Sequence, residues 1–303
     1  MSVMRVTNTM LKNNYLTNLE FTVERLYEAE NVVLTEKRVN TPSDDPIDAL
    51  NALVLRERIS EIKQYQRNIN RAGTQLQNTE TVIEEIVDMF ERVRELAVQG
   101  ASDNYSQTDK ISLSYEIDQI LEQLVIDANH QADTTYTFGG TYNNIPPYVA
   151  VRNDDGEIIQ VTTSGSSGDI MQVLGDSVEI KTNVNGEELF EEGVNLFELL
   201  IDLRDDMREN DTDGISNGLS LVDDASEKIY NIQSVIGSKV NRVESAGSRA
   251  ESDLINFTEY LSNTEDADAT QAVIDYQTQL LLLQTSFQAG SMLFQYNLVD
   301  FLR

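Results

Sequence analysis

The 303-residue chain has no cysteine, no tryptophan, one histidine and only four prolines. Without cysteine there is no disulfide, no thiolate nucleophile, no thiolate-held zinc and no iron–sulfur cluster. His130 alone cannot supply a multi-histidine metal site. Basic residues are scarce as well: 22 Lys and Arg face 52 Asp and Glu, a formal net charge of −30. Such a chain lacks the attraction on which nucleic-acid binding rests, and anionic lipid repels it. Long apolar runs are missing too. The uncharged stretch from Tyr276 to Val299 is interrupted by Gln277, Gln279, Gln284, Gln288, Gln295 and Asn297. Hydrocarbon would leave those amides unsatisfied, so a membrane span is not expected. Residues Met1–Asn8 carry no apolar signal core.

Helical periodicity dominates what remains. Ile69, Ala72, Leu76, Thr79, Ile83, Ile86, Phe90, Val93 and Ala97 alternate spacings of three and four, a heptad seam that must pack on other helices. The spacing predicts one helix over 47–100, opened by Asp45 as N-cap with Pro46 at the first position and ended by Gly100. A second helix is predicted over 108–129, with Ser106 and Asp109 as a capping pair and Ile117, Leu121, Leu124 and Ala128 as its stripe. A third, over 215–261, carries Ile215, Leu219, Val222, Ile229, Ile232, Ile236, Val243, Ala250, Leu254, Phe257 and Leu261. A shorter helix with Phe197, Leu200 and Met207 precedes it.

Eight of the fifteen glycines lie between Gly139 and Gly193, where the pattern changes. Segments 148–152 and 157–162 flank Asn153-Asp154-Asp155-Gly156, a hairpin signal. Val178–Thr182 and the Asn185-Gly186 turn suggest further strand. Leu16, Leu19, Val23 and Leu26 give a helical stripe near the start. Leu280, Leu283, Phe287, Phe294 and Phe301 give another at the end, on a helix apolar over most of its circumference, which needs neighbours on several sides. The expected fold is mainly α: a long antiparallel helical bundle or coiled coil built from both halves of the chain, with a small β-containing insert. Residues 1–45 and 264–303 are expected to form an inner assembly layer, 46–148 and 184–263 the bundle, and 149–183 a β-rich surface insert.

A survey for chemistry is barren. His130 follows a helix end, where a capping role is natural. Glu209, Asp211, Asp213 and Gly214 imitate the start of a calcium loop, but Ser220 stands where a bidentate Glu belongs. The acidic groups Asp44-Asp45 and Glu265-Asp266-Asp268 precede helical patterns, which helix N-terminal charge complementarity explains. No catalytic, metal or cofactor site is expected.

The segment Lys37-Arg38-Val39-Asn40-Thr41-Pro42-Ser43-Asp44-Asp45-Pro46 resembles the turn that precedes the long helix in the flagellin superfamily of bacterial flagellar axial proteins. Tyr65–Ile69, Arg94–Gln99, Tyr136–Gly140, Ile236–Glu244, Glu265–Asp268 and the ending Leu298–Leu302 are similar to family segments in the same order. Glu36 stands where many members have glycine. Ser43, Pro46 and the Asp300-Phe301 ending favour members that join the hook region to the filament over filament flagellin, the nearest alternative. An enzyme or a small-molecule-binding bundle is the second. The resemblance implies a structural role by subunit packing, in a ring or helical layer of identical copies. It implies hook-associated protein 1 and flagellin as neighbours, and an export chaperone on the C-terminal segment. It also implies an extracellular location reached through the flagellar type III apparatus without a cleavable signal peptide.

Overall fold

The computed structural model describes residues 8–132, 134–164 and 168–301. Six α-helices carry most of this chain: α1 (Asn8–Thr35), α2 (Pro46–Gly100), α3 (Gln107–Ala128), α4 (Leu196–Glu209), α5 (Thr212–Glu265) and α6 (Ala269–Phe301). Between α3 and α4 lie three separate antiparallel ribbons. These pair β1 (Gln131–Ala132) with β2 (Thr135–Tyr136), β3 (Tyr148–Arg152) with β4 (Ile158–Thr163), and β5 (Met171–Gly175) with β6 (Val178–Lys181).

The chain divides into two compact units, residues 1–61 with 253–303, and residues 62–252. The division falls inside α2 and α5. Ion pairs and backbone bonds tie the first turns of α2 and the last turn of α5 to the segment after α1, so those turns cluster with the terminal helices.

In the second unit, all nine α2 seam residues from Ile69 to Ala97 are buried. From Ile83 to Ala97 they share one core with the α5 residues Ile215, Val222, Ile229 and Ile236. Arg94 pairs with Asp223 at 2.6 Å, and a Cβ on Gly73 would touch Val243. The two helices therefore run antiparallel. Helix α3 begins with the expected capping box: Ser106 Oγ accepts from the Asp109 amide, and the Asp109 carboxylate accepts from the Ser106 amide. Its C-cap is Asn129, whose side chain donates to the Val125 and Tyr148 carbonyls and accepts from the Tyr148 amide. The ring of His130 meets the Thr137 hydroxyl at 3.1 Å instead of capping the helix.

The β region departs most from expectation. The hairpin β3–β4 forms around 153–156, but it is not a surface appendage. Tyr148 and Ile158 are core residues, and a register shift at Arg152 turns Ile158 inward. The Ile158 carbonyl accepts from buried Arg204, which also pairs with Asp118 at 3.0 Å. Tyr148, Phe138, Phe190 and Phe197 pack with centroids 5.1–5.3 Å apart. The partner of β6 is β5, upstream. Asn185-Gly186 opens a single π-helical turn, Glu187–Glu191, in place of further strand. Asn68 and Tyr65 of α2 hold the β5–β6 ribbon through Val173 and Asp176, while Arg242 of α5 donates to the Glu179 carbonyl.

The calcium-like sequence is an ordinary helix start: Asp211 Oδ1 accepts from the Asp213 and Gly214 amides. Among the described residues no group of three or more His, Asp or Glu could hold a metal ion, and no helix is long and apolar enough to cross a membrane.

Candidate assembly interface

In the first unit α1 and α6 lie antiparallel. The Tyr15 hydroxyl donates to the Ser286 carbonyl at 3.0 Å, and Lys37 bridges Asp266 at the other end. The α1 seam is Tyr15, Leu19, Thr22, Leu26, Ala29 and Val33, half-buried at alternating spacings of four and three. The α6 seam is Ala272, Tyr276, Gln279, Leu283, Ser286 and Gly290 in the same rhythm. Gly290 admits the Tyr15 ring, because a Cβ there would collide with the hydroxyl.

This seam mixes large residues, among them Tyr15, Leu19, Leu26 and Leu283, with small or polar ones such as Thr22, Ala29, Ala272, Ser286 and Gly290. Leu19, Val23, Leu26 and Leu283 do turn toward the partner helix. Leu16, Leu280 and Phe287 do not: they are 42%, 37% and 55% exposed. Val273, Ile274, Leu281, Leu282 and Met292 share their exposure, as do Phe21, Tyr27 and Leu34 on α1. Small residues such as Ala272 and Gly290 let the helices approach closely, while these large side chains stay outside the contact. The side chains of Phe294 and Phe301 lie outside the described part of the structure.

The segment joining α1 to α2 is built from the turn residues. Glu36 ends α1 in the left-handed region, φ 58°, and its carbonyl accepts from the Ala267 amide. Pro42 and Ser43 are the central residues of a turn closed by the Asp44 amide on the Thr41 carbonyl at 3.0 Å. The Asp44 carboxylate accepts from the Thr41 and Asn40 amides and the Thr41 hydroxyl, which hold its pKa below the ordinary carboxylate value. Asp45 caps α2 through the Ile47 and Asp48 amides, with Pro46 at the first helical position.

The central residue here is one assigned differently from sequence. Glu265 does not sit at a helix N-terminus; it is the last residue of α5, with a side chain only 5% exposed. Its carboxylate pairs with Lys37 at 2.7 Å and with Arg56. Its carbonyl accepts from the Arg38 and Val39 amides, while Arg38 reaches Asp48 and the Thr264 carbonyl. The basic pair Lys37-Arg38 was the available signal. The acidic partner was hidden because its role depends on where α5 stops. Asp268, by contrast, caps α6 as the charge pattern suggested.

Antiparallel terminal helices that keep their large apolar side chains outward define an α-helical assembly subunit. The bacterial flagellin N-terminal helical region matches residues 6–143, and the bacterial flagellin C-terminal helical region matches residues 219–302. The chain belongs to the bacterial flagellin family. It is 24% identical over 272 residues to flagellar hook-associated protein 3 of Escherichia coli (strain K12), covering 84% of this chain and 86% of that protein. It is 21% identical over 252 residues to flagellin of Halalkalibacterium halodurans, covering 82% and 80%. The crystal structure of flagellar hook-associated protein 3 from Legionella pneumophila shares the fold, with a TM-score of 0.62 at 16% identity, covering 69% of this chain and 98% of that one.

Proposed function

We propose that this protein is a structural subunit that joins the hook region of a bacterial flagellum to its flagellin filament. The exposed Leu280, Leu281, Leu282 and Phe287 outside the α1–α6 seam carry the reading, because apolar side chains left out in this way are satisfied by neighbouring subunits. The α1–α6 pair forms the inner layer of a ring or helical array of identical copies, with hook-associated protein 1 on one side and flagellin on the other. Like-to-like heterologous contacts generate the tube. Before assembly an export chaperone covers the C-terminal segment, and the subunit leaves through the flagellar type III apparatus to an extracellular site. A cysteine-free chain suits export in an unfolded state, since no disulfide can trap it. The role is one of packing, not catalysis, in keeping with relatives named as hook-associated protein 3 and flagellin.

Deleting the gene should leave hooks intact while flagellin is shed into the medium. Complementation with Leu281→Asp and Phe287→Asp together should fail to restore attachment although the subunit is exported. Restored attachment by that variant would remove the α6 face from the interface. The flagellin reading rests on the comparable similarity to filament proteins. It predicts that purified protein elongates into long filaments by itself, whereas a junction subunit does not.

A further inference from the structure

A cleft of about 600 Å³ opens in the second unit between α2, the β1–β2 ribbon and β5. Arg71, Gln75 and Asn78 reach it from one face of α2, at spacings of four and three. Tyr136 of β2, Asn143 of the following loop and Gln172 of β5 add to its polar lining, beside Thr74, Thr134, Thr135 and Thr137. Threonines apart, none of these six side chains hydrogen-bonds or ion-pairs with another described residue, although four of the five uncharged ones belong to amides that elsewhere in this chain are used.

Donors and acceptors that line one cleft of this size without a protein partner are what a small polar ligand requires. Three amide groups from two directions, with a fourth from β5, match a ring of hydroxyls, each of which donates and accepts. The Tyr136 ring offers an apolar face with a polar tip. Arg71 adds a fork suited to one carboxylate. Phosphate chemistry fits less well: Arg71 is the single lining cation among the described residues, and the cleft meets α2 within its length, away from the amides of its N-terminus. We propose that this cleft is a binding site for an acidic saccharide of one or two rings, its carboxylate held by Arg71 and its hydroxyls by Gln75, Asn78, Asn143 and Gln172.

The test uses the full-length protein and saturation-transfer NMR with glucuronic acid, glucose and acetate as probes. Glucuronate should receive saturation and bind more tightly than either glucose or acetate. Arg71→Gln should weaken glucuronate by about tenfold and leave glucose unchanged. Asn78→Leu, which crowds the cleft, should weaken both sugars. Arg67→Gln, on the adjoining turn of α2, should weaken neither. Circular dichroism and thermal melting establish that each variant is folded, and the probe preference of the unaltered protein stands independently of them. Equal binding of acetate and glucuronate would reduce the site to a bare charge contact, such as one made by an acidic side chain of another copy, and overturn the proposal. So would the absence of saturation transfer at about 10 mM glucuronate, or binding indifferent to both Arg71→Gln and Asn78→Leu.

Discussion

Replacing Glu265 with alanine should loosen the closure of the first unit, by an amount its surroundings set. The carboxylate is nearly buried, whereas Lys37 and Arg56 are 36% and 49% exposed. Once the acid is gone, both cations regain water, so the loss is confined to the charge-assisted hydrogen bonds: about 2 kcal/mol. The opposite truncation differs in kind. Lys37→Met with Arg56→Met leaves a buried carboxylate without a cation, which costs about 3–5 kcal/mol. The order of the two effects is thus fixed by which partner is buried. Three backbone amides report on the closure directly: Arg38 and Val39 donate to the Glu265 carbonyl, and Ala267 donates to the Glu36 carbonyl. A loss of about 2 kcal/mol lowers their hydrogen-exchange protection about 30-fold. Unchanged exchange at these amides in Glu265→Ala would refute the closure role. So would a double Met variant more stable than Glu265→Ala.

Two further outcomes follow from single positions. Burial, chiefly, raises the pKa of Asp127, with Glu85 adding to it, and Asp127 Oδ2 is buried without a hydrogen-bond partner. Because its folded pKa exceeds the unfolded value of about 3.9, its contribution to stability is complete below that value and is lost as pH rises through the folded pKa. Asp127→Asn should therefore raise the urea midpoint near neutral pH and change it little at about pH 3; an equal gain at both would rule out ionisation as the cause. Glu36→Gly should stabilise the protein by about 0.5–1 kcal/mol in urea melting, since a left-handed residue with a Cβ is strained and the greater freedom of unfolded glycine offsets part of the relief. A loss of stability would mean that the Glu36 side chain contributes more than its backbone strain costs.

How far the sequence could be read depended on how many physical requirements each position met. The α2 seam was legible residue by residue, because a long unbroken heptad pattern has one apolar face and only that face can be buried. The capping residues Asp45 and Ser106 were legible for a similar reason: each acts within a few residues of itself. Helix α6 was legible as a helix but not as an interface. With Leu280, Leu281, Leu282, Leu283 and Phe287 spread around it, apolar character cannot choose the contacting face. Close approach chooses it, through Ala272, Ser286 and Gly290. The strand β5 was missed because Met171–Gly175 is short and its position depends on bonds from Asn68 and Tyr65, more than one hundred residues earlier in the chain. Ile158 was placed in a surface insert because no local pattern reveals that Arg204 will hold its carbonyl in the core.

The two units divide the hydrophobic effect differently, and this division bears on assembly. In the second unit Phe90, Ile83, Leu121 and Ile236 are buried within the chain, so that unit's core does not depend on a neighbouring copy. In the first unit Leu281, Phe287, Phe21 and Leu34 remain exposed, and on the proposed reading their stabilisation is deferred to association. Each large side chain then gains about 1.5–3 kcal/mol on burial, so the stability of this unit is coupled to subunit concentration and to lattice contacts. A chain of net charge −30 must also overcome self-repulsion when copies approach. The charge-free stretch from Tyr276 to Val299 addresses both demands in one element. It offers apolar area and carries no carboxylate. The polar members of that stretch are amides and hydroxyls, which can hydrogen-bond across an interface without the desolvation cost of an ion. Within the α1–α6 pair, Ala272 and Gly290 permit close approach and Tyr15 sets the register through the Ser286 carbonyl, so on the proposed reading the exposed Phe21, Leu34, Leu281 and Phe287 remain for contacts with other subunits.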